Sequence, residues 1–183
     1  MRSDQEAEFR QYVTARADRL RRFAYLCCGD WHRAEDAVQT AFIKLYGAWH
    51  RKNSVNFDRY VRRTITNVLI DEGRLAWFRR VRSVGEPPEP PPADGADRKV
   101  DRLTIMDALA RLPKRQRAVV VLRYWEDHSI EQVAEVLRCS TGTVKSQGAR
   151  GLRTLRALLA DSMPGRGIPV PDAFTEQTIG ATS

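Results

Sequence analysis

Cysteine is scarce in this chain. The three present, Cys27, Cys28 and Cys139, among 183 residues cannot supply a framework of paired disulfides. Adjacent Cys27 and Cys28 also lack the spacing and histidine partners of a zinc site, so all three are expected to be core or near-surface thiols in a reducing cytosol. Histidine is as rare. His32, His50 and His128 lie far apart, have no carboxylate or cysteine at ligand spacing, and read as surface residues. No Ser/His/Asp constellation, phosphate-cradling glycine loop or metal-ligand set is present, which argues against an enzyme and against any bound metal or cofactor. The amino terminus, MRSDQEAEFR, is polar with no apolar signal core, and no apolar run reaches the roughly 18 residues of a membrane span. A cytoplasmic protein without a membrane partner is expected.

What the chain has in excess is positive charge. Its formal net charge is +8 and its isoelectric point is near 9.9, a balance that draws a protein to polyanions. Arginine greatly outnumbers lysine, which suits bidentate phosphate and guanine contacts; GC-rich coding sequence explains the same bias equally well. The length allows one or two small cores.

The charge is most one-sided between Ser129 and Leu159. Ile130, Val133, Ala134 and Leu137 recur at i, i+3, i+4 and i+7, one face of a short helix with Ser129 as N-cap. Arg138 and Cys139 break the rhythm, and Ser140 caps a second helix whose inner face is Val144, Gly148, Leu152, Leu155 and Leu159. Gly148 is expected to let that helix lie close to the first. Gly142, Thr143, Lys145, Ser146, Ala149, Arg150 and Arg153 face the other way, and no acidic residue occurs between Arg138 and Ala160. The arrangement is that of a helix-turn-helix whose second helix enters the major groove, with the small and polar Thr141, Gly142 and Thr143 at the point of close approach. A merely solvated basic face, or one that meets an acidic protein, has the same residues.

Upstream, Phe9, Tyr12, Val13, Leu20, Phe23, Ala24 and Cys27 keep a helical period that ends near Gly29. Ala34, Ala37, Val38, Ala41, Phe42, Leu45, Tyr46 and Trp49 write a second amphipathic helix, leaving Glu35, Asp36, Gln39, Thr40, Ile43 and Lys44 toward other surfaces. A third runs from about Phe57 to Arg74 with Tyr60, Val61, Ile65, Val68 and Leu69 inward. These three form an expected N-terminal bundle. Ser83–Asp97, with five prolines and two glycines, excludes regular helix and is acidic without a basic residue. Beyond it, Leu103, Ile105, Leu109 and Leu112 suggest a helix ending before Pro113. Gln116–Trp125 suggests another, although the run Val119–Leu122 has the β-propensity of a short strand that lacks any partner strand. From Asp161 to Ser183 the chain is aperiodic and broken by three prolines, as expected of a mobile tail.

Four segments in this order carry a resemblance: AEDAVQTAFIKLY (Ala34–Tyr46), FDRYVRRTITNVLIDEGR (Phe57–Arg74), LPKRQRAVVVLRYWEDHSIEQVAEVL (Leu112–Leu137) and CSTGTVKSQGARGLRTLR (Cys139–Arg156). Together they resemble the extracytoplasmic-function (ECF, group 4) sigma factors of bacterial RNA polymerase, in the sigma-70 superfamily. The resemblance covers nearly the whole chain except the linker and tail. It implies an all-α protein of two small helical domains, an N-terminal bundle and a C-terminal helix-turn-helix domain, joined by the acidic Pro-rich linker. The expected bounds are 1–80 for region 2, 81–100 for the linker, 101–160 for region 4 and 161–183 for a disordered tail.

The resemblance further implies promoter-specific transcription initiation. Core polymerase would be docked through Asp36, Gln39 and Phe42 against the clamp coiled coil of its largest subunit, and the flap of the second largest subunit is a further contact that the resemblance implies; core packing also accounts for Phe42. The promoter −10 element would be read and opened by Asn53, Ser54, Asn56, Arg59, Arg62, Arg63 and Asn67, with Trp49 or Phe57 as a stacking face for a flipped base; a plain surface loop is the alternative for Gly47–Asp58. The −35 element would meet Thr143, Lys145, Ser146, Ala149, Arg150 and Arg153. Many relatives place a bulky residue followed by His or Phe where this chain has Gly148 and Ala149, which implies a smaller apolar contact with a thymine methyl. The linker acids Glu86, Glu89, Asp94 and Asp97 suit a nucleic-acid mimic in the polymerase channel as well as they suit simple solubility. An anti-sigma factor is a further partner that the resemblance allows. A helix-turn-helix regulator acting without polymerase is the competing reading; it leaves the docking helix and the acidic linker unexplained.

Overall fold

The computed structural model describes residues 3–49, 56–75 and 104–162. The linker Ser83–Asp97, Leu103, His50, Asn53, Ser54 and the tail beyond 162 lie outside the described residues. Among those described there is helix and no strand: α1 (Ser3–Cys28), α2 (Trp31–Trp49), α3 (Phe57–Leu75), α4 (104–110), α5 (Lys114–Tyr124), α6 (Ile130–Leu137) and α7 (Thr141–Ser162).

The helix ends are set by local chemistry. α1 stops at Gly29, whose φ of +75° is open to glycine and whose N–H returns to the carbonyl of Tyr25 at 2.7 Å. The Asp30 carboxylate then accepts from the N–H of Arg33 at 3.0 Å and starts α2. Asn56 does the same for α3, its side-chain oxygen accepting from the N–H of Arg59 at 3.1 Å. At α6 the cap is reciprocal. Ser129 Oγ accepts from the Gln132 N–H at 3.2 Å while the Gln132 side chain accepts from the Ser129 N–H at 2.8 Å, which satisfies two otherwise orphaned donors.

In the N-terminal three-helix bundle, Leu20, Phe23, Ala24 and Cys27 of α1 meet Ala34, Ala37, Val38, Ala41 and Leu45 of α2 and Val61, Ile65 and Leu69 of α3, all buried. An aromatic group closes one end, with Trp49 stacked on Phe57 at 4.2 Å and Tyr12 beside both. Burial pushes the Tyr12 hydroxyl well above the usual tyrosine range, and its hydrogen bond to the Asp58 carboxylate at 2.8 Å adds to this.

α5 is the centre of the C-terminal half. Arg117 through Leu122 are buried one after another, because α1, α3, α6 and α7 all pack on it. A helix covered on every side needs no polar face, which is why this run carries no amphipathic signal and admitted a strand. α7 approaches α5 through Gly151, where an added Cβ would sit 2.8 Å from Val120 Cγ2. The close approach expected at Gly148 is therefore misplaced. A Cβ there meets Val119 of α5 at an ordinary 3.5 Å, and its neighbour is α5, not α6.

The two halves touch. α3 packs on α6 and α1 on α5, and the buried apolar residues form one continuous cluster from Leu20 to Leu159.

Candidate nucleic-acid interface

α7 carries the clearest candidate surface. Val144, Gly148, Leu152, Leu155 and Leu159 are buried, which at 3.6 residues per turn turns Lys145, Ser146, Ala149, Arg150 and Arg153 outward, and all five are exposed. Thr143 is half-buried at the first turn. Ser140 Oγ accepts its N–H at 3.1 Å and lies 2.9 Å from its hydroxyl, so the helix start is held by its own cap. Ser146 donates its hydroxyl to the Thr143 carbonyl at 3.1 Å. The turn before α7 passes through Arg138 in a left-handed conformation, φ +51°. Ala149 is exposed and Gly148 is buried, so of these two neighbours only Ala149 lies on the outer face.

α3 presents a second basic group, and here the side chains are already engaged. Asn67 is exposed and Arg63 half-buried. Arg62 is buried, and its Nη2 and Nε donate to Glu126 Oε2 at 2.6 and 3.1 Å. Glu126 follows α5 in the C-terminal half and also accepts from Arg19 of α1 at 3.2 Å. Arg59 is ion-paired with Glu135 of α6. Asn56, expected in the base-reading loop, caps α3. Sequence spacing placed these residues on one helix but contained no sign that Glu126 and Glu135 would cover two of them, since the pairs bridge positions 64 and 76 residues apart.

On α2, Asp36 and Gln39 are exposed and Phe42 is half-buried against the core. The same stripe continues to Ile43, 73% exposed, and Tyr46, 45% exposed, which makes an apolar extension to a polar surface. Tyr46 had an inward position by periodicity; its ring instead meets Phe9 edge-on at 5.1 Å and leaves its other side in solvent. An isoleucine off the apolar stripe was the available signal for this extension.

His32 is exposed. His128 is half-buried with Nδ1 3.0 Å from the Glu126 carbonyl, and burial lowers its pKa from the usual 6.5. Cys27 is buried, and burial pushes its thiol far up and that of Cys28 up as well, so neither is an activated nucleophile. No group of acidic, histidine or cysteine side chains that would hold a metal occurs among the described residues, and no helix among them is long and apolar enough to cross a membrane.

Comparison with known proteins matches residues 12–81 to sigma-70 region 2 and residues 102–155 to sigma-70 region 4. The RNA polymerase sigma-E factor of Streptomyces coelicolor is 38% identical over 167 residues, which cover 88% of this chain and 92% of that protein. The ECF RNA polymerase sigma factor SigL of Mycobacterium tuberculosis is 35% identical over 152 residues, covering 78% and 83%. Among solved structures, the sigma factor RpoE bound to the anti-sigma factor NepR from Bartonella quintana shares the fold, with a TM-score of 0.68 at 24% identity over 83% of this chain and 96% of that one.

Proposed function

The chain belongs to the sigma-70 family as an ECF-type RNA polymerase sigma factor, and from that membership we propose how its parts divide the work of promoter-specific initiation. α7 lies in the major groove of the −35 element and reads it through Thr143, Lys145, Ser146, Ala149, Arg150 and Arg153. The observation that carries this is the outer face of α7, where exposed Lys145, Arg150 and Arg153 stand without an acidic residue between Arg138 and Ala160. A phosphate backbone favours such a face, and an Arg or Lys bidentate to guanine adds about 1–3 kcal/mol of base discrimination.

The −10 element falls to residues 1–80. Arg59, Arg62, Arg63 and Asn67 of α3 meet the strand at the melting start, and Asn53, Ser54 and Asn56 take the flipped base. Opening is driven by binding free energy, with unstacked bases captured as they appear. Asp36, Gln39 and Phe42 dock α2 on the clamp coiled coil of core polymerase, with Ile43 and Tyr46 widening the contact. Residues 101–160 engage the flap, and the linker 81–100 threads the channel between. An anti-sigma factor is a fitting antagonist, since the sigma factor RpoE, which shares the fold, is bound by the anti-sigma factor NepR. The protein works in the cytoplasm as a non-catalytic subunit.

Run-off transcription with purified core polymerase tests this reading. Transcripts from a matching promoter are expected only when the protein is added. Specific duplex binding by the protein alone, with no initiation, would assign it instead to autonomous helix-turn-helix regulators, and blocked transcription would mark an antagonist of polymerase.

A further inference from the structure

α3 opens with a carboxylate among arginines. Asp58 lies in its first turn, where an acidic side chain stabilises the helix start, and Arg59, Arg62 and Arg63 follow at once. A strand of phosphates laid along Arg59, Arg63 and Asn67 is repelled by a negative charge so placed. Two residues of α1 hold that charge. Tyr12 donates its hydroxyl to Asp58 Oδ1 at 2.8 Å, and Arg16 Nη1 lies 3.4 Å from Asp58 Oδ2, so each oxygen has a partner on α1. The two holders are fixed in turn. The Arg16 guanidinium lies over the Tyr12 ring, 5.5 Å from its centroid, and that ring meets Phe57 edge-on at 6.0 Å and Trp49 at 5.5 Å. Burial and the neighbouring carboxylate keep the Tyr12 hydroxyl protonated, so it remains a donor.

We propose that Tyr12 and Arg16 are positioning residues for capture of the single strand: Tyr12 turns the Asp58 carboxylate toward α1 and Arg16 offsets its charge, so that α3 offers the phosphates donors alone. α1 thereby sets the sign of the surface that α3 presents. This role rests on the assignment of α3 to the −10 strand.

The test is fluorescence anisotropy of a short fluorescein-labelled single strand of mixed sequence, bound to holoenzyme formed from purified core polymerase and the full chain, with core polymerase alone as baseline. Tyr12→Phe removes the hydroxyl and keeps the ring. It should weaken strand binding about fivefold, the scale of one partly screened like charge near a phosphate. Arg16→Gln should act in the same direction, and it carries the test if Tyr12→Phe loses helicity. Adding Asp58→Asn to either variant should restore affinity to within about twofold, because the amide keeps an acceptor oxygen and carries no charge. A purely structural tie between α1 and α3 gives no such rescue, since the acid that favours the helix start is lost as well. Arg63→Ala in the same assay separates this role from the assignment it rests on. If Arg63→Ala weakens binding while both single variants bind normally, or while Asp58→Asn leaves their binding weak, the role of α1 is overturned and the α3 assignment stands. Unchanged binding in Arg63→Ala overturns the α3 assignment and the role of α1 with it.

Discussion

Arg117 of α5 places its guanidinium at the carboxyl end of α1, donating Nε to the Leu26 carbonyl at 2.5 Å. α1 has no basic residue in its own last turn, so the cation that favours a helix carboxyl end arrives from a helix 91 residues further along the chain. Gly29 lies under the same group, and a Cβ there would come within 3.3 Å of Arg117 Nη2. Burial lowers the Arg117 pKa, and the arginine remains the cation. Arg117→Ala removes a charge-assisted hydrogen bond from the part-buried Leu26 carbonyl, at an expected cost of about 2 kcal/mol. Urea denaturation followed by far-UV circular dichroism measures this; an unchanged midpoint would remove Arg117 from the contacts that matter.

Two of the three glycines of α7, Gly148 and Gly151, should respond with opposite signs. At Gly148 the added methyl group meets Val119 at 3.5 Å, and alanine gains helix propensity, so Gly148→Ala should stabilise by about 0.5–1 kcal/mol. At Gly151 the methyl group would lie 2.8 Å from the stiff Val120 side chain and 3.4 Å from the Gln116 carbonyl oxygen, so Gly151→Ala should destabilise by about 1–2 kcal/mol. Thermal melting of both variants decides the order.

His128 ties stability to pH. Burial lowers its folded-state pKa below 6.5, with Arg62 and Arg19 pushing the same way and the hydrogen bond to the Glu126 carbonyl opposing them. The unfolded chain therefore binds the proton more readily than the folded one. Stability is whole above the unfolded value and falls as pH drops below about 6.5 toward the lowered one. Denaturation midpoints at pH 7.5 and 5.5 should differ more in the natural chain than in His128→Gln; equal differences would exclude the histidine as the source.

Reversal of charge at Asp36 tests the docking helix. The residue is exposed on α2, so Asp36→Arg leaves the bundle intact. Binding to core polymerase should weaken at least tenfold, about 1.4 kcal/mol, in co-purification or anisotropy. Retained affinity would take Asp36 off the docking surface.

Lys145→Ala combined with Arg150→Ala removes two exposed cations from α7. The holoenzyme should lose −35 preference by about 1–3 kcal/mol per lost base contact while core binding persists. For the isolated chain the log–log salt slope of duplex binding should become shallower by about 0.9 for each phosphate contact removed. Unchanged footprints would contradict the assigned face.

Where a helix has one buried side, its residues were readable in advance. The stripe from Ala34 to Leu45, the capping box of Ser129 and Gln132, and the inner face of α7 follow from local periodicity and hydrogen bonding, which depend only on near neighbours. α5 was ambiguous because a helix packed on every side has no polar face to mark its period. Tyr46 was assigned inward, but its exposure depends on Phe9, which belongs to another helix.

The sequence by itself determined the helices, their caps and the one-signed face of α7, because each of these is decided within a few turns of chain. Only the tertiary structure decided that Gly151, not Gly148, is the point of close approach, and that Arg62 is buried against Glu126. The physical reason is distance along the chain. Arg62 and Glu126 are 64 residues apart, and whether a basic residue faces solvent, nucleic acid or a carboxylate depends on which other helix folds back over it.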